Sequence, residues 1–147
     1  MEEGLKSQRE EKAATLRNLG FDPFPAQVDR THTAEEVISI IAKFSDDQTS
    51  DESTKVSITG RIMARRSMGR ASFFDIVDGT SRIQILFRKN TLSENLYDNL
   101  NLLDLGDFIS VKGYPMKTRT GEATVEALDW KVISKSLLPP PEKFHGL

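Results

Sequence analysis

A change of period at residue 55 constrains this chain more than any other feature of its sequence. Upstream, apolar residues recur at helical spacing; downstream they alternate, through three segments separated only by tight turns. "KVSITGRIMARR" predicts a first strand with Val56, Ile58, Ile62 and Ala64 on one side and Lys55, Arg61 and Arg65 on the other. "SMGR" reads as a turn and "ASFFDIV" as a second strand. "DGTS" makes a tight turn at Asp78 and Gly79, and "RIQILFRK" is a third strand with Ile83, Ile85 and Phe87 inward. A short helix follows in "TLSENLYDNLNLLDLG", capped by Thr91 or Ser93, with Leu96, Leu100 and Leu103 packing down. Two further strands come after it, "DFISVKGYP" and, past the turn "TRTGE", "ATVEALDWKVIS".

Five strands with one helix between the third and fourth is the order of the OB-fold. That fold is a small Greek-key barrel whose face around strands two and three binds oligonucleotides or oligosaccharides. The expected class is therefore an all-β five-stranded Greek-key barrel preceded by two helices. Gly60 fits it, because the long first strand must bend to serve both sides of a barrel. The first of the two helices comes from "LKSQREEKAATLRNLG", with Leu5, Lys12, Ala13, Leu16 and Leu19 near helical spacing and Gly20 at its end. "FDPFP" breaks it through Pro23 and Pro25. The second begins at Thr33, whose pairing with Glu36 makes a capping box ahead of Val37, Ile38, Ile40, Ile41 and Phe44. "SDDQTSDEST" has no apolar member and reads as an exposed linker. The expected division is residues 1–54 as helical extension and linker, 55–136 as the barrel, and 137–147 as the start of a linker to an absent catalytic domain.

The net charge of −2 hides a strong local imbalance. Residues 55–89 carry 8 basic and 2 acidic side chains, between flanks in which acidic residues outnumber basic ones. Charges act over about 10 Å at moderate salt, so it is the patch and not the sum that a polyanion meets. The chain has no cysteine and two distant histidines, His32 and His145, which leaves no thiolate site and little basis for a metal centre. No apolar run approaches the roughly 18 residues of a membrane span, and the acidic, polar start is unlike a signal peptide. The expectation is a cytoplasmic protein with no membrane partner. No Walker-type glycine loop and no nucleophile paired with a base point to catalysis, so no catalytic residue is assigned.

Two adjacent phenylalanines sharpen the reading. In an alternating strand Phe73 and Phe74 face opposite ways; Phe73 shares its side with Asp75, so Phe74 is expected inside and Phe73 outside. Gln84 has the parity of Arg82 and Arg88, opposite the inward row. Phe73 and Gln84 then lie on one exposed face beside Arg61 and Arg65, with Arg66 and Arg70 at the turn. A flat aromatic accepts a stacked base, an amide matches a base edge, and guanidinium groups pair with phosphates. Sequence-tolerant binding of single strands and a dimerisation or interaction role for the two helices are the alternatives at this point.

With those residues in view, the sequence resembles the N-terminal anticodon-binding domain of class II lysyl-tRNA synthetases, of bacterial type. The resemblance rests on "LRNLGFDPFP", "GRIMARRSMGRASFFDIVDGTSRIQ", "LGDFISVKGYPMKTRTGE" and "LPPPEKFHGL", and so runs over nearly the whole chain. One departure is Arg70, where that family usually has lysine. The resemblance implies that Phe73 stacks on the central uridine of the lysine anticodon and that Gln84 bonds the same base. It gives Arg66, with Arg65, the anticodon loop and Glu122 a flanking uridine, and leaves backbone contacts to Arg61, Arg70, Lys117 and Arg119. It also implies that ATP and magnesium act in a separate C-terminal domain, that the full-length enzyme is a homodimer, and that the partner is the anticodon stem-loop of a lysine tRNA. This polypeptide alone is not expected to aminoacylate tRNA.

Overall fold

In a computed structural model, residues 2–18 and 29–136 are described. Helix α1 (Glu2–Asn18) and helix α2 (Ala34–Ala42) precede five strands: β1 (Val56–Met68), β2 (Ala71–Val77), β3 (Arg82–Arg88), β4 (Phe108–Lys117) and β5 (Ala123–Ser134). Between β3 and β4 stand helix α3 (Glu94–Asp98) and a single 3-10 turn, Asn99–Leu102. The strands close into a barrel in the order β1-β2-β3-β5-β4, the expected OB order. The stop at Gly20, the break at Pro23 and Pro25, and the tail 137–147 lie outside the described residues.

Beta1 works for two partners. Val56 to Arg61 pair with β4, and Arg61 to Met68 pair with β2. Gly60 sits at the hand-over, where an added Cβ would lie 3.1 Å from Ile76 and from the Val77 carbonyl, so the bend brings the strands close enough that a side chain there would have to push its neighbours back by a few tenths of an ångström. Two residues later the register slips at a bulge between Ile62 and Ala64. A bulge inserts one unpaired residue and so reverses the alternation beyond it. Ala64 therefore faces Asp75 on the outside and Arg65 faces Phe74 on the core side, the reverse of the simple alternation expected for both.

The core is the expected one elsewhere. Phe74, Ile76, Ile83, Ile85 and Phe87 are buried, and the Phe74 and Phe87 rings meet edge-on at 4.9 Å. Each such side chain contributes about 1.5–3 kcal/mol by leaving water. Ala13 and Leu16 of α1 and Val37 and Ile41 of α2 are buried as well, and α2 packs on β1, β3, β4 and β5. Its capping box forms as expected, with Thr33 Oγ1 accepting from Glu36 N at 3.2 Å and Glu36 Oε1 accepting from Thr33 N at 2.9 Å. Asp78, in the β2–β3 turn, adds a further cap by accepting from Ala34 N at 2.7 Å. Ser93 caps α3, and Trp130 donates its indole N–H to the Leu96 carbonyl at 2.8 Å, seating the helix on β5.

The stretch 45–54 does not hang free. Beta4 overhangs β1 beyond Gly113, and residues 49–51 pair along that overhang, with Lys117 N donating to Thr49 O at 2.7 Å and Asp51 N to Pro115 O at 3.0 Å. Unpaired strand N–H and C=O groups at an edge attract such a neighbour. At the other end of the strands, the fully buried Lys135 ammonium pairs with Asp104 and Asp107, and Lys12 of α1 joins Asp104 at 2.7 Å. Burial alone would push up the Asp104 carboxyl, but Lys12 and Lys135 hold it below its ordinary range.

Candidate nucleic-acid interface

Beyond the bulge, Arg66 stands opposite Phe73, and Phe73 stands opposite Leu86 on the outer face of β2 and β3. Phe73 is half-buried, because the Arg66 guanidinium lies over its ring at 4.9 Å. One terminal nitrogen of Arg66 donates to Gln84 Oε1 at 3.1 Å. The other end of that amide, Nε2, donates to Thr124 Oγ1 at 3.1 Å. Arginine has donors only, which fixes the amide with its oxygen toward Arg66. Thr124 donates in turn to the Glu122 carbonyl at 3.1 Å, and Thr118 accepts from Glu122 N at 3.0 Å. One connected chain of bonds thus runs from the aromatic ring to the β4–β5 turn.

Apart from the buried Thr124, these residues line a groove of about 740 Å³. Phe73 and Arg66 form one wall, Gln84 the floor, and Lys117, Arg119 and Glu122 the opposite rim. The turn at that rim is tight, with Gly121 at a φ of 87° that only glycine adopts freely. Five of the expected functional residues besides Phe73 are therefore gathered in one place. Gln84 differs in one respect. It is expected on an exposed face, yet it is 3% exposed, because Arg66 covers it and β5 packs beside it. Beta3 is buried on both faces from Ile83 to Phe87.

Three arginines are elsewhere. The Arg65 guanidinium donates to Leu103 O at 2.7 Å and to Leu100 O at 3.3 Å, and it covers the Phe74 ring at 4.8 Å. The bulge has turned it from the groove to the barrel end, where it caps the carbonyls of the 3-10 turn; desolvation there lowers its pKa. Arg61 lies over Phe108 at 4.7 Å, and Arg70 is exposed in the β1–β2 turn; neither lines the groove. Conversely, Met68, Leu86, Arg88 and Met116 line it without having been assigned a role from sequence. Arg88 shares the row of Gln84, which is the signal that could have found it. Thr124, fully buried, had none, since only the parallel pairing of β3 with β5 brings it to Gln84.

Comparison with known proteins agrees with this geometry. Residues 56–133 match a family model described as an OB-fold nucleic acid binding domain, the tRNA anti-codon family. A lysine–tRNA ligase of Dehalococcoides mccartyi is 43% identical over 148 residues, covering 99% of this chain and 29% of the relative. The lysine–tRNA ligase of Pelotomaculum thermopropionicum is 46% identical over 97% of this chain and 27% of its own length. That of Bacillus cytotoxicus is 38% identical over 95% and 28%. The chain spans under a third of the length of these curated relatives. With the barrel order, the outer-face groove and the family match in agreement, the chain belongs to the OB-fold nucleic acid binding domains of the tRNA anti-codon family, and it corresponds to the anticodon-binding domain of lysine–tRNA ligases.

Proposed function

We propose that the groove binds the anticodon loop of a lysine tRNA and reads its central uridine. The observation that carries this reading is the Phe73 ring with Arg66 and Gln84 gathered on one outer face. A base laid on Phe73 gains about 1–3 kcal/mol of stacking. Arg66 gives up a cation–π contact worth about 0.5–1 kcal/mol at an exposed site. The exchange favours the base, and the displaced guanidinium is free to pair with the loop's phosphate or base oxygens.

Once Arg66 turns away, Gln84 Oε1 has lost its donor while Nε2 stays tied to Thr124. The oxygen then accepts the N3–H of uracil. Cytosine presents a lone pair at the same place, and an acceptor facing an acceptor leaves a buried amide unpaired at a cost of about 1–3 kcal/mol. Glu122, at the rim, accepts from a flanking uridine in the same way, while Lys117 and Arg119 meet backbone phosphates. Selection of the lysine anticodon would serve a longer ligase, cytoplasmic and homodimeric, whose ATP and magnesium chemistry lies outside this chain.

The test is a titration with a lysine anticodon stem-loop and with its variant carrying cytidine at the central position, at one fixed salt concentration. The expected result is a loss of about 1 kcal/mol or more, roughly fivefold to tenfold, on that single change. Equal binding of the two would reduce the activity to charge-driven association with RNA.

A further inference from the structure

The groove does not stop at β3. Arg88, Thr49 and Met116 line both the main groove and an adjoining hollow of about 290 Å³. Arg88 stands between the two. Its Nε pairs with Glu126 Oε1 at 3.0 Å, and the Arg88 side chain is 46% exposed where that of Glu126 is 4% exposed. Among the described residues nothing else is bonded to its guanidinium, so the two terminal nitrogens are left as a fork. A guanidinium held along its Nε edge with that fork open is the geometry that takes two phosphate oxygens at once.

The rest of the hollow matches what a phosphate is attached to. Ser50, Thr91 and Asn90 offer hydroxyls and an amide. Glu126 Oε2 is buried without a hydrogen-bond partner of good geometry; burial pushes its carboxyl above the ordinary range, against the pull of Arg88 and of the nearby Tyr114 hydroxyl. Tyr114 stands opposite Glu126 in the β4–β5 ladder, and burial, followed by the charges of Glu126 and Glu52, pushes its phenol up to about 12, so it remains a donor at neutral pH. Hydroxyls and an amide beside an open guanidinium suit the hydroxyls of a sugar better than the face of a base.

We propose that this hollow is a second nucleotide subsite, in which Arg88, positioned by Glu126, grips the phosphate linking the stacked nucleotide to its neighbour, and the polar walls receive that neighbour's ribose. The proposal rests on the reading of the main groove as an RNA site. It makes Arg88 a binding residue and Glu126 a positioning residue.

The test combines protein and RNA changes. Arg88→Met alone would strand the Glu126 charge, so it is made together with Glu126→Gln, and folding is checked by thermal unfolding. This pair should weaken the uridine and cytidine stem-loops alike, several-fold, and lower the slope of log affinity against log salt by about one. Replacing the phosphate next to the central nucleotide by a neutral methylphosphonate should do the same to the parent protein, and it should cost the double variant nothing further. Arg88→Lys, which keeps the charge and the ion pair, provides a folded protein should the double variant fail; it should lose affinity with the slope unchanged. A double variant or lysine variant with parental affinity, or full additivity with the methylphosphonate, would overturn the subsite. The uridine-to-cytidine ratio of the parent protein separates the two readings, since its loss would sink the main groove itself.

Discussion

Replacing Thr124 by valine removes one hydroxyl from the bond chain while keeping the shape of a fully buried side chain. Gln84 Nε2 loses its acceptor in a place that is 3% exposed, and an unsatisfied buried donor costs about 1–3 kcal/mol. The Glu122 carbonyl keeps its other donor, Thr118 N at 3.0 Å, so little is lost there. A methyl in place of the hydroxyl returns about 0.8 kcal/mol. The net expectation is a destabilisation of about 0.2–2.2 kcal/mol. With a urea slope of about 2 kcal/mol per molar, the midpoint should fall by about 0.1–1.1 M. Gln84→Met in the same background removes the orphaned donor, and Arg66, which is exposed, turns to water. The double variant should therefore be about 1 kcal/mol better than the sum of the singles. Equilibrium unfolding of the four proteins at constant slope decides the matter. Additivity within about 0.3 kcal/mol would mean that Gln84 and Thr124 do not depend on each other.

Gly113→Ala would put a Cβ 1.9 Å from the Glu126 carbonyl oxygen, in the backbone of β5, so the strands must part; a loss of about 3 kcal/mol or more is expected in thermal unfolding. Gly4→Ala, with nothing within 4 Å on α1, should instead stabilise by up to about 1 kcal/mol. Burial works against the Asp78 carboxylate, but bonds from Thr80, Ala34 and Ser81 outweigh it and hold its pKa below the ordinary 3.8. Its contribution is thus present above that value and lost as pH falls through the lowered one. Asp78→Ala should cost about 1–2 kcal/mol at neutral pH, and the gap to the parent should shrink under acid denaturation below about pH 3.8. Arg65→Gln should lower stability by about 1.5–3 kcal/mol, the scale of a charged hydrogen bond, and leave the ratio of uridine to cytidine stem-loop affinities unchanged. A changed ratio would return Arg65 to the groove.

What was legible in the sequence is what depends on neighbours a few residues apart. Alternation placed Phe74, Ile83, Ile85 and Phe87 inside, and the Thr33–Glu36 spacing marked a helix start that forms as read. Charge partition pointed to the part of the chain that carries Arg66. The misplacements share a cause of the opposite kind. A bulge between Ile62 and Ala64 depends on how β1 serves two partners, and the run "RIMARR" carries no glycine or proline to announce it. One inserted residue was enough to exchange the faces of Arg65 and Arg66. Burial of Gln84 likewise depends on a strand 40 residues away, whose parallel pairing follows from closure of the whole barrel.

That closure is held by three register pairs between β3 and β5, at Gln84, Ile85 and Leu86, against ten between β4 and β5. Gln84 belongs to this short seam, and Glu122 borders it. A ligand that grips Gln84 from one side and Glu122 from the other would act as a clasp across the barrel's thinnest joint. Recognition and cohesion would then be one quantity measured twice, and slower hydrogen exchange should appear first at the seam amides when the groove is filled. A barrel that read a base in this way could not be retuned for a different one without also being loosened or tightened.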